Sequence, residues 1–354
     1  MRRRPSRQGL LQVCSSCAAL SFTARPEFPG KEKFLSSVLA PQIFPTQPST
    51  CLFYFMVFMF AVTSFSEAQD LKTEWEIYFQ QIRKGNYPSV PGSLSNTGNG
   101  NSIHALMQPF LKDSISAVRT KAYEFTYVVS SLSSETTVRN NGVDILIMAF
   151  GDIDFRIRGL ALDLLKEFDK KDFTLSAKDS LRKWVRKKAP FADRLIKLAG
   201  FLELRDLTPD IQTLSGPGNP AQIRWVAILS LARMGEPSAV AEIIQRVKKL
   251  PVNDDLVYEV FPDLVYTRQP DPIAYLVEAL RSEVKNCLSA DAEKQIPILC
   301  GYRVMELLAP AIEGYPLQLD ETGDLNTSDY TAALETVRQW FLKNNSYTIL
   351  NDRY

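Results

Sequence analysis

The sequence predicts an all-α fold in which successive helix pairs stack into an elongated superhelix, called an α-solenoid. Three observations lead to this prediction. Apolar residues recur with helical spacing from Asp70 onward, and short related segments return at intervals of roughly thirty to forty residues. Hydrophobic residues make up 45% of the 354 residues, which is enough for a continuous core. Because one helix pair has too little surface to close a core alone, it must stack on its neighbours.

A first set of related segments combines an acidic residue, a β-branched residue, an arginine and an alanine at constant spacing. Two copies keep all four residues, and a third copy keeps the last three. They are Asp113, Val118, Arg119 and Ala122; Asp152, Ile157, Arg158 and Ala161; and Ile223, Arg224 and Ala227. Gly218 stands at the acidic position of the third copy. The recurrence predicts equivalent helices in successive repeats.

A second pair of related segments begins with proline. Pro237 aligns with Pro270, and Val240 aligns with Ile273 at the same distance along the chain. Proline is well tolerated in the first helical turn, where its missing N–H group would have had no intrahelical partner. We therefore expect one helix to begin at each of these prolines.

These segments resemble HEAT repeats of the phycobilisome-lyase-like type over about residues 103–282. The resemblance implies a right-handed superhelix of the armadillo type. In that family the repeated aspartate and arginine form a ladder between neighbouring repeats. The matching positions are Asp113, Arg119, Asp152, Arg158 and Arg224, and Gly218 would interrupt the ladder at the third copy. A bidentate carboxylate would satisfy such an arginine structurally, and the alternative role for these arginines is anion binding.

The first seventy residues differ from the rest in composition. Residues 1–50 have no sustained apolar period, so we expect a disordered leader or a start codon placed too early. Residues 51–68 contain an apolar run too short to span a bilayer, followed by the small-x-small pattern Ser66-Glu67-Ala68. This pattern predicts a cleaved secretory signal and an exported chain, periplasmic or extracellular, with no later membrane span. The alternatives are an uncleaved membrane anchor and a buried hydrophobic helix.

The mature chain divides into three predicted regions. Residues 69–102 predict an N-terminal helix that ends at Gly85, followed by a flexible loop from Asn86 to Asn101. Residues 103–282 contain the repeats, and residues 283–354 predict capping helices and a tail.

Within the last region the apolar pattern predicts two helices. The first covers residues 290–312, with kinks at Pro297 and Gly301. The second is an amphipathic helix whose N-terminus we expect Ser328 to cap. Residues 345–354 are expected to form a polar tail.

The sequence offers few residues for catalysis. His104 is the one histidine of the chain, which excludes histidine-based triads and multi-histidine metal sites. Its position near a helix start favours a structural or exposed side chain. We therefore predict no catalytic residue, no metal and no cofactor. Cys287 and Cys300 either pair in an oxidising compartment or remain two buried thiols.

One basic segment stands out in a chain that has 41 basic and 40 acidic residues. Its cations are Arg182, Lys183, Arg186, Lys187 and Lys188, with Trp184 among them. A solvated helix face with the tryptophan packed inward explains this composition. The alternative is a site for an anionic partner, which in an exported protein would be a glycan, a lipid headgroup or an acidic protein, with nucleic acid not expected.

These observations favour a non-enzymatic module that binds a protein or peptide on its curved helical surface. A structural or assembly factor of the bacterial cell envelope is the alternative. A lyase-type enzyme is a third hypothesis, because the resembled family includes lyases, but it depends on fold analogy alone.

Overall fold

The computed structural model describes residues 71–92, 100–187, 190–289, 295–320 and 322–354. These residues lie in one compact unit, Gln69–Tyr354. The predicted leader, the predicted signal segment and Lys188 lie outside the described residues, as do residues 93–99 of the predicted loop.

The described residues are mostly helical and have almost no strands, which confirms the all-α prediction. The first seven helices are α1 (residues 71–83), α2 (Gly100–Met107), α3 (Ser116–Leu132), α4 (Thr136–Met148), α5 (Phe155–Leu165), α6 (Leu175–Arg186) and α7 (Ala192–Phe201). They are followed by α8 (Thr208–Ser215), α9 (Ala221–Arg233), α10 (Pro237–Val247), α11 (Asp254–Glu259), α12 (Phe261–Thr267), α13 (Pro270–Arg281), α14 (Gly301–Leu308) and α15 (Tyr330–Lys343). A short hairpin of β1 (Cys287–Leu288) and β2 (Pro297–Ile298) separates α13 from α14.

The repeated aspartates start helices. Asp113 and Asp152 each follow a short 3-10 turn and accept a hydrogen bond from the backbone N–H two residues later, at 2.8 Å in both copies. An aspartate that bonds to its own backbone in this way turns the chain into the next helix. Helices α10 and α13 begin at Pro237 and Pro270, as the alignment of the two prolines predicts.

The repeat residues line the core. Val118 and Ile157 are fully buried, whereas Ile223 is half-buried. The three repeated alanines have no exposed surface, so they lie where neighbouring helices meet.

Helix α9 is at the centre of the packing in the second half of the described chain. It packs against α7, α8, α10 and α12. The crossing with α7 is close because residue 200 is glycine, and an added Cβ there would lie 2.8 Å from Ser230 Cα and 2.5 Å from Tyr266 Oη. Gly142 allows a similar approach of α4 to α3, since its Cβ would overlap Ser130 Oγ.

The prediction of one helix over residues 290–312 is wrong. Residues 297–298 pair as strand β2, and the helix begins at Gly301. Pro297 has no N–H group for a helix, and Cys287 forms a disulfide with Cys300, which fixes the hairpin before α14. Ile296, an apolar residue within the predicted helix, is exposed.

Two boundaries also differ from prediction. Asp329, one residue after Ser328, caps α15 by accepting bonds from the N–H groups of Thr331 and Ala332. Gly100 already belongs to α2 and is buried, so the predicted loop ends before it. Among the described residues, no helix combines the length and the apolar character needed to cross a membrane.

Candidate peptide-binding site

The three repeated arginines share one local role. Each donates to a main-chain carbonyl five or six residues earlier, in the turn before its own helix. The bonds run from Arg119 to Asp113, from Arg158 to Asp152 and from Arg224 to Asn219. Backbone carbonyls in turns need such partners because they lie outside the regular bonding of helices. This role explains why an arginine follows the turn in all three copies.

One of the predicted ladder arginines reaches a carboxylate of another repeat. Arg119 donates from Nε and Nη2 to the two oxygens of Asp152, both at 2.8 Å. Both side chains are less than a tenth exposed. Burial raises the pKa of Asp152 and is the largest single effect. The hydrogen bonds from Arg119 and from the Asp154 N–H, together with the charge of Arg119, outweigh it, so the pKa is lowered. Arg158 and Arg224 form no ion pair with a carboxylate of the described residues.

Two further pairs have nearly the same spacing and were not predicted. Arg83 Nε donates to Asp113 at 2.9 Å, and Arg139 Nε donates to Asp172 at 2.9 Å. Their sequence separations are 30 and 33, against 33 for the pair of Arg119 with Asp152. Each of the three pairs therefore joins side chains about one repeat length apart along the chain.

The basic segment of α6 is partly neutralised by acidic residues. Arg182 Nε lies 2.9 Å from both carboxylate oxygens of Asp206, and Arg186 Nε lies 3.2 Å from Asp210. Ion pairs lower the net charge that an anionic partner would meet. Arg182 and Arg186 therefore have partners within the chain itself.

The other described residues of this segment form a solvated helix face. Lys183 and Lys187 are exposed, and the Lys187 ammonium lies 5.3 Å from the centre of the Trp184 ring. Trp184 is half-buried and packs edge-on against Phe150.

A different site involves residues 345–354, where the sequence predicts a polar tail. Residues 349–354, which we call the tail, follow a non-helical path over the helices. The tail begins beside the 3-10 turn after α14, where the Leu350 N–H donates to Ala311 O at 2.8 Å. It then contacts six residues that we call the tail site: Lys170, Phe201, Glu203, Arg233, Tyr266 and Arg268.

Arg233, the last residue of α9, holds the main chain of the tail. Its Nη2 donates to the carbonyl oxygens of Asn351 at 3.2 Å and Arg353 at 2.8 Å. Its Nη1 donates to Tyr266 O, and the guanidinium lies over the Phe201 and Tyr266 rings at 5.6 and 5.3 Å. Arg233 is only 2% exposed, and burial lowers its pKa.

Arg268 lies at the end of the tail. It follows α12 with a left-handed backbone (φ 53°) and is 9% exposed. Its Nη2 donates to the main-chain oxygen of Tyr354 at 3.4 Å, whereas its Nε and Nη1 have no partner among the described residues. Burial is the main cause that lowers the pKa of Arg268, and the nearby charge of Arg233 lowers it further, to about 10.

The ring of Tyr354 enters an aromatic pocket. Its centroid lies 5.6 Å from that of Phe201 and 5.5 Å from that of Tyr266. The Lys166 ammonium lies 5.7 Å from the ring of Tyr354. Burial raises the pKa of Tyr354 well above its ordinary value. Tilted aromatic pairs at such distances add stabilisation beyond the area they bury.

The side chain of Glu203 and the backbone N–H of Lys170 hold the middle of the tail. Glu203 accepts a hydrogen bond from Asn351 Nδ2 at 2.7 Å and also binds the Lys170 ammonium. The backbone N–H of Lys170 donates to Asp352 O at 3.1 Å. Four main-chain oxygens of the tail are therefore bound, whereas the side chains of residues 351–353 are largely exposed. The tail is therefore held mainly by its main chain and by one aromatic side chain.

The sequence contains one signal for this site, the position of Arg233. Arg233 ends the run Val226-Ala227-Ile228-Leu229-Ser230-Leu231-Ala232, in which almost every residue is apolar. A cation at the end of so apolar a helix indicates a buried charge that needs a partner. The sequence of the tail gave no signal of a bound segment, because three of its six residues are polar.

Comparison with known proteins leaves the family open. No family model matches the chain, and no curated protein is significantly similar to it in sequence.

Proposed function

We propose that this chain is a non-enzymatic binding module that holds a non-helical protein segment at the tail site. One observation carries the proposal: the buried guanidinium of Arg233 donates to main-chain carbonyls of the segment at 3.2 and 2.8 Å. Main-chain hydrogen bonds provide affinity for a segment of almost any sequence. The tail of the chain occupies the site here, so its contacts are those expected for a partner.

We further propose that the helix pairs form a right-handed α-solenoid of the HEAT-like type. Three features support this architecture: the recurring aspartate turns, the recurring arginine bonds to the preceding turn, and the arginine–aspartate pairs with separations of 30, 33 and 33 residues. Solenoids of this kind present an extended surface on which a flexible segment can contact several repeats. The tail does so, since it contacts residues from Lys170 to Arg268.

An exported location also belongs to this proposal. The disulfide between Cys287 and Cys300 supports it, because disulfides persist mainly in oxidising compartments. The small-x-small pattern that ends at Ala68 supports it independently.

The proposal is tested by adding the segment in trans. We would use the full chain with Tyr354→Ala, which removes the side chain that fills the aromatic pocket, and titrate it with a fluorescent peptide copying residues 349–354. We expect saturable binding by fluorescence anisotropy, and weaker binding when Glu203→Gln is added, because the bond to Asn351 is weakened.

The matched control is Glu242→Gln on α10, where an exposed glutamate pairs only with Arg246 of the same helix. This change should leave peptide binding as it is. If the peptide showed no saturable binding up to its solubility limit, the proposed function would be contradicted.

A further inference from the structure

We infer that the tail site is selective for the end of a polypeptide, where an aromatic side chain and a free α-carboxylate belong to the same residue. This inference rests on the proposed function and names the class of partner: a protein whose C-terminal residue is aromatic. The tail then acts as a competitor within the same chain, and a partner must displace it.

The first support is a pair of buried cations that are only partly balanced, by the charge of Asp352 near both and of Glu203 near Arg233. Arg233 and Arg268 are 2% and 9% exposed, and neither forms an ion pair with a side-chain carboxylate of the described residues. Burying a charge without an opposite charge is costly, so proteins rarely keep such groups without a use for them. Two adjacent buried guanidiniums therefore indicate a site for an anion.

The second support is the set of unused donors on Arg268. Arg268 Nη2 already reaches the main-chain oxygen of Tyr354, while Nε and Nη1 of the same guanidinium have no partner among the described residues. Arginine has a rigid, planar set of donors that matches the two oxygens of a carboxylate. If the aromatic residue is the last residue of a polypeptide, its α-carboxylate would occupy those donors. If the polypeptide continues, the peptide bond in that place would not.

The third support is the aromatic pocket next to these arginines. Phe201 and Tyr266 face the ring of Tyr354, and both are almost fully buried. The described contacts of Tyr354 are made by its ring and its main-chain oxygen. Phenylalanine should therefore replace tyrosine in a partner, whereas a small side chain would leave the pocket empty.

The experiment changes the peptide, so the fold of the protein stays constant. Four peptides based on residues 349–354 are titrated into the full chain with Tyr354→Ala: the free carboxylate, the C-terminal carboxamide, a form with the last tyrosine changed to alanine, and one with it changed to phenylalanine. We expect the carboxamide and the alanine form each to bind at least about tenfold more weakly. The phenylalanine form should bind about as tightly as the original.

The unmodified full chain provides the test of competition. Its own tail should weaken binding of the free-carboxylate peptide relative to the Tyr354→Ala chain, because the tail is present at high effective concentration. Equal binding of all four peptides would overturn this inference and leave the proposed function intact. Binding by none of them would overturn both, and equal affinity of the two chains would overturn the competition.

Discussion

Single residues in this chain show how burial decides the state of a titratable group. His104 is 4% exposed, and its Nε2 lies 2.9 Å from Ser130 Oγ. Because the Ser130 hydroxyl donates to Thr126 O, the histidine must donate from Nε2, which leaves Nδ1 as an acceptor. Nδ1 has no partner among the described residues. Protonation would therefore bury an unpaired N–H, and burial lowers the pKa of His104.

This environment predicts a loss of stability in acid. The unfolded chain binds a proton at the ordinary histidine pKa of 6.5, while the folded chain binds it at a lower pH. Stability from His104 is therefore complete above pH 6.5 and falls as the pH decreases towards the lowered pKa. Urea unfolding of the parent chain and of His104→Gln, at pH values from about 7.5 to about 5 that bracket the histidine pKa of about 6.5, measures how the free energy of unfolding depends on pH. An identical slope in the variant would contradict the prediction.

The buried pair of Arg119 and Asp152 gives a second prediction at this scale. Arg119→Leu would leave a buried carboxylate without its partner, since Asp152 is 5% exposed. Breaking such a pair typically costs about 3 to 5 kcal/mol in the free energy of unfolding. Urea denaturation measures the loss.

The matched control is Arg156→Leu, because Arg156 pairs with Asp154 on the surface with 72% of its side chain exposed. That change should have little effect, as exposed ion pairs contribute little. If the two variants lost similar amounts of the free energy of unfolding, the buried pair would stabilise the fold no more than the exposed pair does.

Elements of secondary structure were predictable where local chemistry decides them. The aspartate turns and the prolines at helix starts depend on contacts within a few residues, so the sequence identifies them. Prediction failed over residues 290–312, where the apolar spacing resembles a helix. There the disulfide between Cys287 and Cys300 and the missing N–H group of Pro297 override the periodicity.

The disulfide leads to a prediction for this element. It closes a loop with a sequence separation of 13. In the chain-entropy account, a cross-link over such a loop stabilises the folded state by about 3 kcal/mol. The Cys287→Ser/Cys300→Ser variant should lose a comparable amount in urea unfolding, and a reductant should destabilise the parent chain but leave the variant unchanged. If a reductant destabilised the parent chain and the double variant equally, the disulfide could not be the cause of that destabilisation.

At the scale of the whole molecule, local signals were insufficient. The ladder pair of Arg119 with Asp152 follows from a repeated motif, and the sequence therefore pointed to both residues. The tail site could not be found in the same way, because Arg233 meets Arg353 across 120 residues and Arg268 meets Tyr354 across 86. Only the folded arrangement of helices brings these groups together.

The tail also raises the question of whether it belongs to the core or merely occupies a site. The side chains of residues 351–353 are largely exposed, whereas Phe201 and Tyr266 are buried and contact many residues besides Tyr354. A segment with few buried apolar contacts opens locally, without unfolding of the remaining structure. We therefore expect the tail to behave as an independent, releasable unit.

Hydrogen exchange on the full chain tests this expectation. Tyr354→Ala removes the ring from its pocket and so weakens the docking of the tail. The amide hydrogens of Leu350 and Lys170, which are bonded to Ala311 O and Asp352 O, should then exchange at least about tenfold faster. The melting temperature should change little, because the helix pairs and their arginine–aspartate links remain.

The matched control is Tyr87→Ala, where the side chain is 91% exposed. This substitution removes the same atoms and should alter neither amide. If Tyr354→Ala instead lowered the melting temperature sharply and accelerated exchange throughout α7, α9 and α12, the tail would be an integral part of the core. The tail site would then have no free state for a partner to enter.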